Sequence, residues 1–191
     1  MLTTIEPGTA RGVAIAEVAW PARYDARRIT PIDGYAVFGA VCRAGMVFHG
    51  QPDTQVLLVR EELVIRAPVD RAWRLAGAGL NGIEVNGHSA WLGSPIVRPL
   101  VASPRLWSRL VTIKPYREPV GFAAAARRQL DRLGVTCGLR VGPRAIVRVA
   151  DKAIVGFGAW LEDLSERDSL AVQSRGLGGR NRMGCGVFTP C

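Results

Sequence analysis

The residues best suited to chemistry lie near the end of the chain. Gly176-Leu177-Gly178-Gly179-Arg180-Asn181-Arg182-Met183-Gly184-Cys185-Gly186 runs directly into Val187-Phe188. Glycine lets a backbone approach a ligand closely and adopt positive φ. Successive amides in such turns form a concave anion-binding nest. Arg180 and Arg182 add planar, bidentate donors that match phosphate geometry. The stretch sits between a capped helix and an apolar strand, which favours an ordered phosphate-binding loop over a flexible basic tail.

The bulk charge points the same way. Lys+Arg total 25 against 16 Asp+Glu, a formal net charge of +9, and only Lys114 and Lys152 are lysines. A GC-rich genome would also favour arginine, so the net charge, more than the residue choice, indicates a polyanionic partner. Cys42, Cys137, Cys185 and Cys191 are scattered without a CxxC pair. That spacing suits neither zinc nor a disulfide framework, and reduced thiols in a cytoplasmic protein are expected. Two histidines without a neighbouring carboxylate cluster give no metal site, and no cofactor is expected. No apolar run is long enough to span a bilayer, and no charged-then-apolar leader opens the chain, so no membrane partner is expected.

The elements that must position these residues read as two similar halves. Gly12–Trp20 reads as a first strand. Thr30-Pro31-Ile32-Asp33 has the cap, proline and acid of a helix start. Tyr35, Phe38 and Cys42 then predict one apolar helix face, ended by Gly45. Val56–Val59 and Leu63–Ala67 are short strands, and Val69–Ala76 a short helix. Asn86-Gly87 predicts a type I′ hairpin between Ile83–Val85 and Ser89–Leu92. Pro95, Pro99 and Pro104 mark an extended linker.

In the second half, Trp107–Ile113 is a strand and Pro119–Leu133 the clearest helix. Phe122, Ala126, Leu130 and Leu133 are its stripe and Gly134 its C-cap. Arg144–Val149 and Ala153–Trp160 pair around Asp151-Lys152. Ser165-Glu166-Arg167-Asp168 opens a helix through Gln173. Val187-Phe188 closes the unit. Trp20, Trp73, Trp91, Trp107 and Trp160 are read as core anchors. Each half therefore follows the β-α-β-β-α-β order. The predicted class is α+β, with tandem ferredoxin-like domains at residues 1–100 and 105–191.

Trp107-Ser108-Arg109-Leu110-Val111-Thr112-Ile113-Lys114, the helix Pro119–Leu133 and the ending Gly176–Phe188 together resemble the CRISPR-associated repeat-RNA endoribonucleases of the RAMP superfamily, in its Myxococcus-type subgroup. The resemblance is densest from about residue 105 onward, and the glycine-rich loop is the superfamily's hallmark. It implies a metal-independent enzyme with tandem ferredoxin-like domains. Such an enzyme binds one CRISPR repeat in a precursor transcript, cuts once, and stays with or hands over the guide RNA to effector-complex subunits.

Metal-free cleavage uses the 2′-hydroxyl of the RNA as nucleophile and leaves a cyclic phosphate and a 5′-hydroxyl. It needs a proton-transfer group, a stabiliser of phosphate charge and in-line positioning. The family commonly places its catalytic histidine shortly after the first helix, which selects His49 over His88 beside the hairpin turn. Many relatives add a tyrosine and a lysine. Here no lysine follows His49 until Lys114, and the expected tyrosine position falls nearer Cys42 than Tyr35. Arg43 or Arg60 could take the charge-stabilising role.

The RNA-binding candidates are Gly176, Gly178, Gly179, Arg180, Asn181, Arg182, Gly184 and Gly186 in the loop. Arg127 and Arg128 on the long helix, with Arg132 beside them, form a basic face. Ser108 and Arg109 stand at the start of the central strand. Two other readings compete: a non-catalytic RNA-binding RAMP subunit of an effector complex, and a general basic RNA-binding protein. Retarded but intact repeat RNA marks the former; weak discrimination against a scrambled hairpin marks the latter.

Overall fold

The computed structural model describes residues 9–10, 13–30, 34–48, 50–51, 53–59, 61–149 and 152–191. The first sheet is built from β1 (Thr9–Ala10), β2 (Val13–Arg23), β3 (Gln55–Val59), β4 (Glu62–Pro68), β5 (Gly82–Val85), β6 (His88–Leu92) and β7 (Ile96–Pro99). Its strands run in the order β3-β4-β2-β6-β5, with β1 and β7 also pairing β2. Helices α1 (Gly34–Arg43) and α2 (Val69–Ala76) belong to this half.

The second sheet has the order β11-β8-β10-β9, from β8 (Leu106–Val111), β9 (Gly138–Val149), β10 (Lys152–Glu162) and β11 (Thr189–Pro190). Helices α3 (Pro119–Leu133) and α4 (Glu166–Arg175) pack on it. In the second sheet the first strand, β8, lies between the third, β10, and the last, β11; in the first sheet β2 lies in the same way between β4 and β7, the ferredoxin-like order reached from the sequence.

Period-two alternation explains which face of β2 is buried. Val18, Trp20 and Ala22 enter one core with Val37, Phe38 and Val41 of α1 and Ala72 and Leu75 of α2. Ala19, on the opposite face, joins Leu57, Val64 and Val187 instead. Val187 belongs to the C-terminal segment, so the outer face of the first sheet receives the second half. The second core gathers Phe122, Ala126 and Leu130 around Phe157, and the Phe122 and Phe157 rings lie 4.7 Å apart. Gly134 caps α3 at φ 69°, and the Ser165 hydroxyl accepts the Asp168 amide to start α4.

Several expectations are corrected. The buried face of α1 is Val37, Phe38, Ala40 and Val41, whereas Tyr35 is exposed. Its apolar stripe is built on Phe38 and three small aliphatic residues, and Tyr35 falls outside it. The proposed start at residues 31–33 lies outside the described residues. The proline linker contains β7, which pairs antiparallel with Ala16–Ala19 of β2. Its closing Pro99 is tolerated because the strand lies at the edge of its partner. The final strand begins at Thr189, not Val187.

Of the five tryptophans only Trp20 is a core anchor; Trp73 and Trp91 are 63% and 69% exposed. The Trp160 ring packs beside Gly142 and Gly158, with the Arg140 guanidinium 4.2 Å from its ring centre. The Asn86-Gly87 turn is as expected, with φ of 51° and 76°.

Candidate functional site

The glycine-rich loop links α4 to β11 and crosses between the two halves. Its central turn is a short 3-10 helix at Asn181–Met183. Gly186 donates its amide to Leu110 O at 2.6 Å, and Gly179 to Thr112 O at 2.9 Å, so the loop is pinned to the end of β8 and the residue after it. Gly178 donates to the Gln129 Oε1 of α3 at 2.7 Å. Gly176 and Gly184 donate to Val172 O and Asn181 O. All five loop glycines therefore have internal acceptors, and their amides do not form the open phosphate nest expected from the sequence.

Their role is close packing. Gly178 and Gly186 hold φ of 72° and 65°, and a Cβ on either would overlap the carbonyl of Thr112 or Leu177. Asn181 also faces inward, its Nδ2 donating to Cys185 O and Gly186 O. This compact knot carries Arg180 and Arg182, both half-buried. On the first-half side, a Cβ on Gly34 would overlap the Met183 carbonyl. The start of α1 thus abuts the loop.

A polar cavity of about 460 Å³ opens at this junction. Arg180, Asn181, Arg182 and Met183 of the loop line it with Ser174 and Arg175 of α4, Phe38 of α1, and Gly50, Gln51 and Asp53–Gln55. Arg182 Nη1 is shielded from solvent and has no acceptor among the described residues. A buried donor of this kind is costly unless an acceptor reaches it. Three guanidiniums against one carboxylate give the described lining of the cavity an excess of positive charge, which suits anionic groups. His49 lies outside the described residues; Gly50 and Gln51, which follow it in the chain, line the cavity.

Burial raises the Cys42 and Cys185 thiols above the ordinary value, and nearby arginines, Arg182 at Cys42 and Arg180 at Cys185, only partly oppose it.

The other sequence candidates lie elsewhere. Arg43 donates to Glu84 O at 2.8 Å and is drawn to the β5 hairpin. Arg60 is outside the described residues. Arg128 donates to the Tyr116 hydroxyl at 2.8 Å, and Arg132 donates to Arg128 O. Arg127, Arg128 and Arg132 are on α3, and none of them lines the cavity. Ser108 is buried and is removed from the exposed set. Arg109 faces a second, larger cleft.

That cleft, about 710 Å³, separates the outer faces of the two sheets. Leu57, Val59, Val64, Trp107 and Val187 line it, with Glu17, Glu62, Arg66, Arg98 and Arg109. Arg98 donates to Glu17 Oε2 at 2.9 Å and to Glu62 Oε2 at 2.9 Å, and Arg66 donates to Glu17 Oε1 at 2.8 Å. Burial pushes the Glu17 carboxyl up, but Arg66 and Arg98 outweigh it and hold Glu17 below the ordinary carboxylate value. Arg175, Gln51 and Gln55 were not anticipated as pocket residues. For Arg175 the signal was adjacency to Gly176; Gln51 and Gln55 carried none.

A family model for the Cas6 proteins of CRISPR systems matches residues 25–191. A CRISPR-associated endonuclease, Cas6, of Myxococcus xanthus strain DK1622 is 37% identical over 174 residues, 84% of this chain and 76% of the relative. The solved structure of a CRISPR-associated protein Cas6 superposes with a TM-score of 0.60 at 8% identity, covering 93% of this chain and 99% of the other. Thermus thermophilus Cse3, solved with an RNA representing a pre-cleavage complex, gives a TM-score of 0.52 at 16% identity, covering 92% and 98%. The structural likenesses carry the fold, and the family match with the sequence identity carries the membership: this chain belongs to the Cas6 family of CRISPR-associated endonucleases.

Proposed function

We propose that the chain binds CRISPR repeat RNA and cuts precursor transcripts once per repeat without a metal, by attack of the 2′-hydroxyl on the adjacent phosphorus. The bond from phosphorus to the 5′-oxygen breaks, leaving a cyclic phosphate on one product and a 5′-hydroxyl on the other. The observation that carries this reading is the cationic cavity at the glycine-rich loop, lined by both loop arginines and by the residues directly after position 49.

In this reading His49 is the proton-transfer group. An imidazole changes charge near neutral pH and can take the 2′-hydroxyl proton or protonate the leaving oxygen. Arg180 and Arg182 stand in for the lysine seen in many relatives: they stabilise the charge that grows on the phosphoryl oxygens. Gly176, Gly178, Gly179, Gly184 and Gly186 contribute as the tightly packed frame that fixes those arginines, and Asn181 as its internal tie. Arg127, Arg128 and Arg109 contact RNA outside the cavity, where phosphate contacts set position. Residues 1–100 and 105–191 act as the two domains, and the product stays with effector-complex subunits in the cytoplasm.

The deciding experiment incubates purified protein with its cognate repeat RNA in EDTA. A single cut with a 5′-hydroxyl product is the expected result. Intact but retarded RNA would replace the enzyme by a non-catalytic RNA-binding subunit, and strict magnesium dependence would replace the mechanism.

A further inference from the structure

We propose that Arg66 is a positioning residue that, with Gln55 and Glu17, holds both ends of the glycine-rich loop from the opposite half of the molecule. Its catalytic consequence rests on the endoribonuclease reading above.

Arg66 lies on β4 and is 1% exposed. Its Nη1 donates to Gln173 O at 3.1 Å and to Phe188 O at 2.7 Å. Gln173 precedes the loop and Phe188 ends it. The same Nη1 lies 3.3 Å from Gln55 Oε1. Gln55 Nε2 in turn donates to Gln173 O at 3.1 Å and Ser174 O at 3.0 Å.

Gln173 and Ser174 are in the last turn of α4, where carbonyls have no partner within the helix. Strands β3 and β4 therefore cap a helix of the other half. A cation at that end also meets the negative pole of the helix dipole. Glu17 completes the arrangement. It pairs with Arg66 Nε at 2.8 Å and is itself held by Arg98.

Stability alone is a poor explanation for this arrangement. Replacing a buried ion pair with apolar residues of similar volume is often neutral or stabilising. A planar guanidinium offers something an apolar side chain lacks, which is several fixed donor directions at once. Those directions orient the α4 end and the loop exit relative to β3 and β4, and Gln51 and Asp53–Gln55 lead into β3. Loop arginines and the segment after position 49 are thereby set in one frame. Misplacement of reacting groups by about 1 Å can lower a rate about 10²-fold.

The test uses the full chain with Arg66→Met/Glu17→Gln, which removes both charges together, with Arg66→Lys, and with Gln55→Leu, which removes no charge. Hydrogen exchange is read at residues 176–188 and at the β9–β10 hairpin. Single-turnover cleavage at saturating repeat RNA is read beside RNA affinity. In variants that melt cooperatively, loop exchange is expected to rise about 10-fold or more with the hairpin unchanged, the worth of the missing charge-assisted bonds. The saturated rate is expected to fall more than the affinity, by about 10²-fold in the double variant. Arg66→Lys keeps the charge without the fork and remains impaired.

Unchanged loop exchange, or an unchanged saturated rate, in a folded variant overturns the positioning role. If the arginine variants do not fold, Gln55→Leu decides by the same two readings. If the wild-type chain cuts no repeat RNA, the endoribonuclease reading fails by itself and loop exchange still decides whether Arg66 holds the loop.

Discussion

Two cavities flank the glycine-rich loop, and the smaller one is the better site. The cleft between the sheets is larger, yet most of its wall is apolar and two of its three arginines, Arg66 and Arg98, are taken up by Glu17 and Glu62. The polar cavity beside the loop brings Arg175, Arg180 and Arg182 together with Asp53 as the one carboxylate among the described lining residues; Arg182 Nη1 there, like Arg66 Nη2 in the cleft, lacks an acceptor among the described residues. Paired charges hold a fold in one arrangement, whereas excess charge without partners attracts a polyanion. Volume does not separate the two cavities; the balance of charge partners does.

Four measurements would break or sharpen that contrast. His49→Ala is expected to lower single-turnover cleavage by about 10²–10⁴-fold with RNA affinity nearly kept, the usual contribution of one acid-base group. Full activity in that variant removes His49 from the polar cavity's chemistry. Gly186→Ala comes next. Its positive φ and the overlap with Leu177 O leave no room for a methyl, so urea melts should show destabilisation of about 1–3 kcal/mol.

The third measurement sets one cavity directly against the other. Arg180→Ala/Arg182→Ala should weaken RNA binding about 10–100-fold and reduce the salt slope by about 0.7–0.9 for each phosphate that is no longer neutralised. Arg98→Met, in the matched cleft, should leave that slope unchanged. Equal slopes in the two variants would erase the distinction between the cavities.

The smallest effect is a pH dependence. Glu17 is held below its ordinary value of 4.5 in the folded chain. Its contribution is therefore complete above that value and is lost as pH falls through the lower folded one. Stability should drop with acid in that window, and Glu17→Gln should flatten this limb in denaturant titrations.

Much of the secondary structure could be read locally. The ends of α3 at Pro119 and Leu133, its Gly134 cap, the helix Val69–Ala76 and the Asn86-Gly87 turn all depend on residues a few positions apart. The β7 strand was hidden because Ile96–Pro99 has little strand pattern of its own and is ordered by the exposed edge of β2. The loop was legible as a glycine–arginine motif, but its amides were assigned to the wrong acceptors. Free glycine amides and internally bonded ones have identical sequences.

Sequence by itself determined the helices, the turns, the repeated element order and the excess of arginine, because caps, periodicity and charge are local or summed properties. Only the tertiary structure decided which arginines are matched and which remain open to a ligand. Arg66 reaches acceptors 107 and 122 residues away, and Gln55 reaches 118 and 119. No local pattern encodes such a pairing, since it exists only once two separately built sheets are brought face to face.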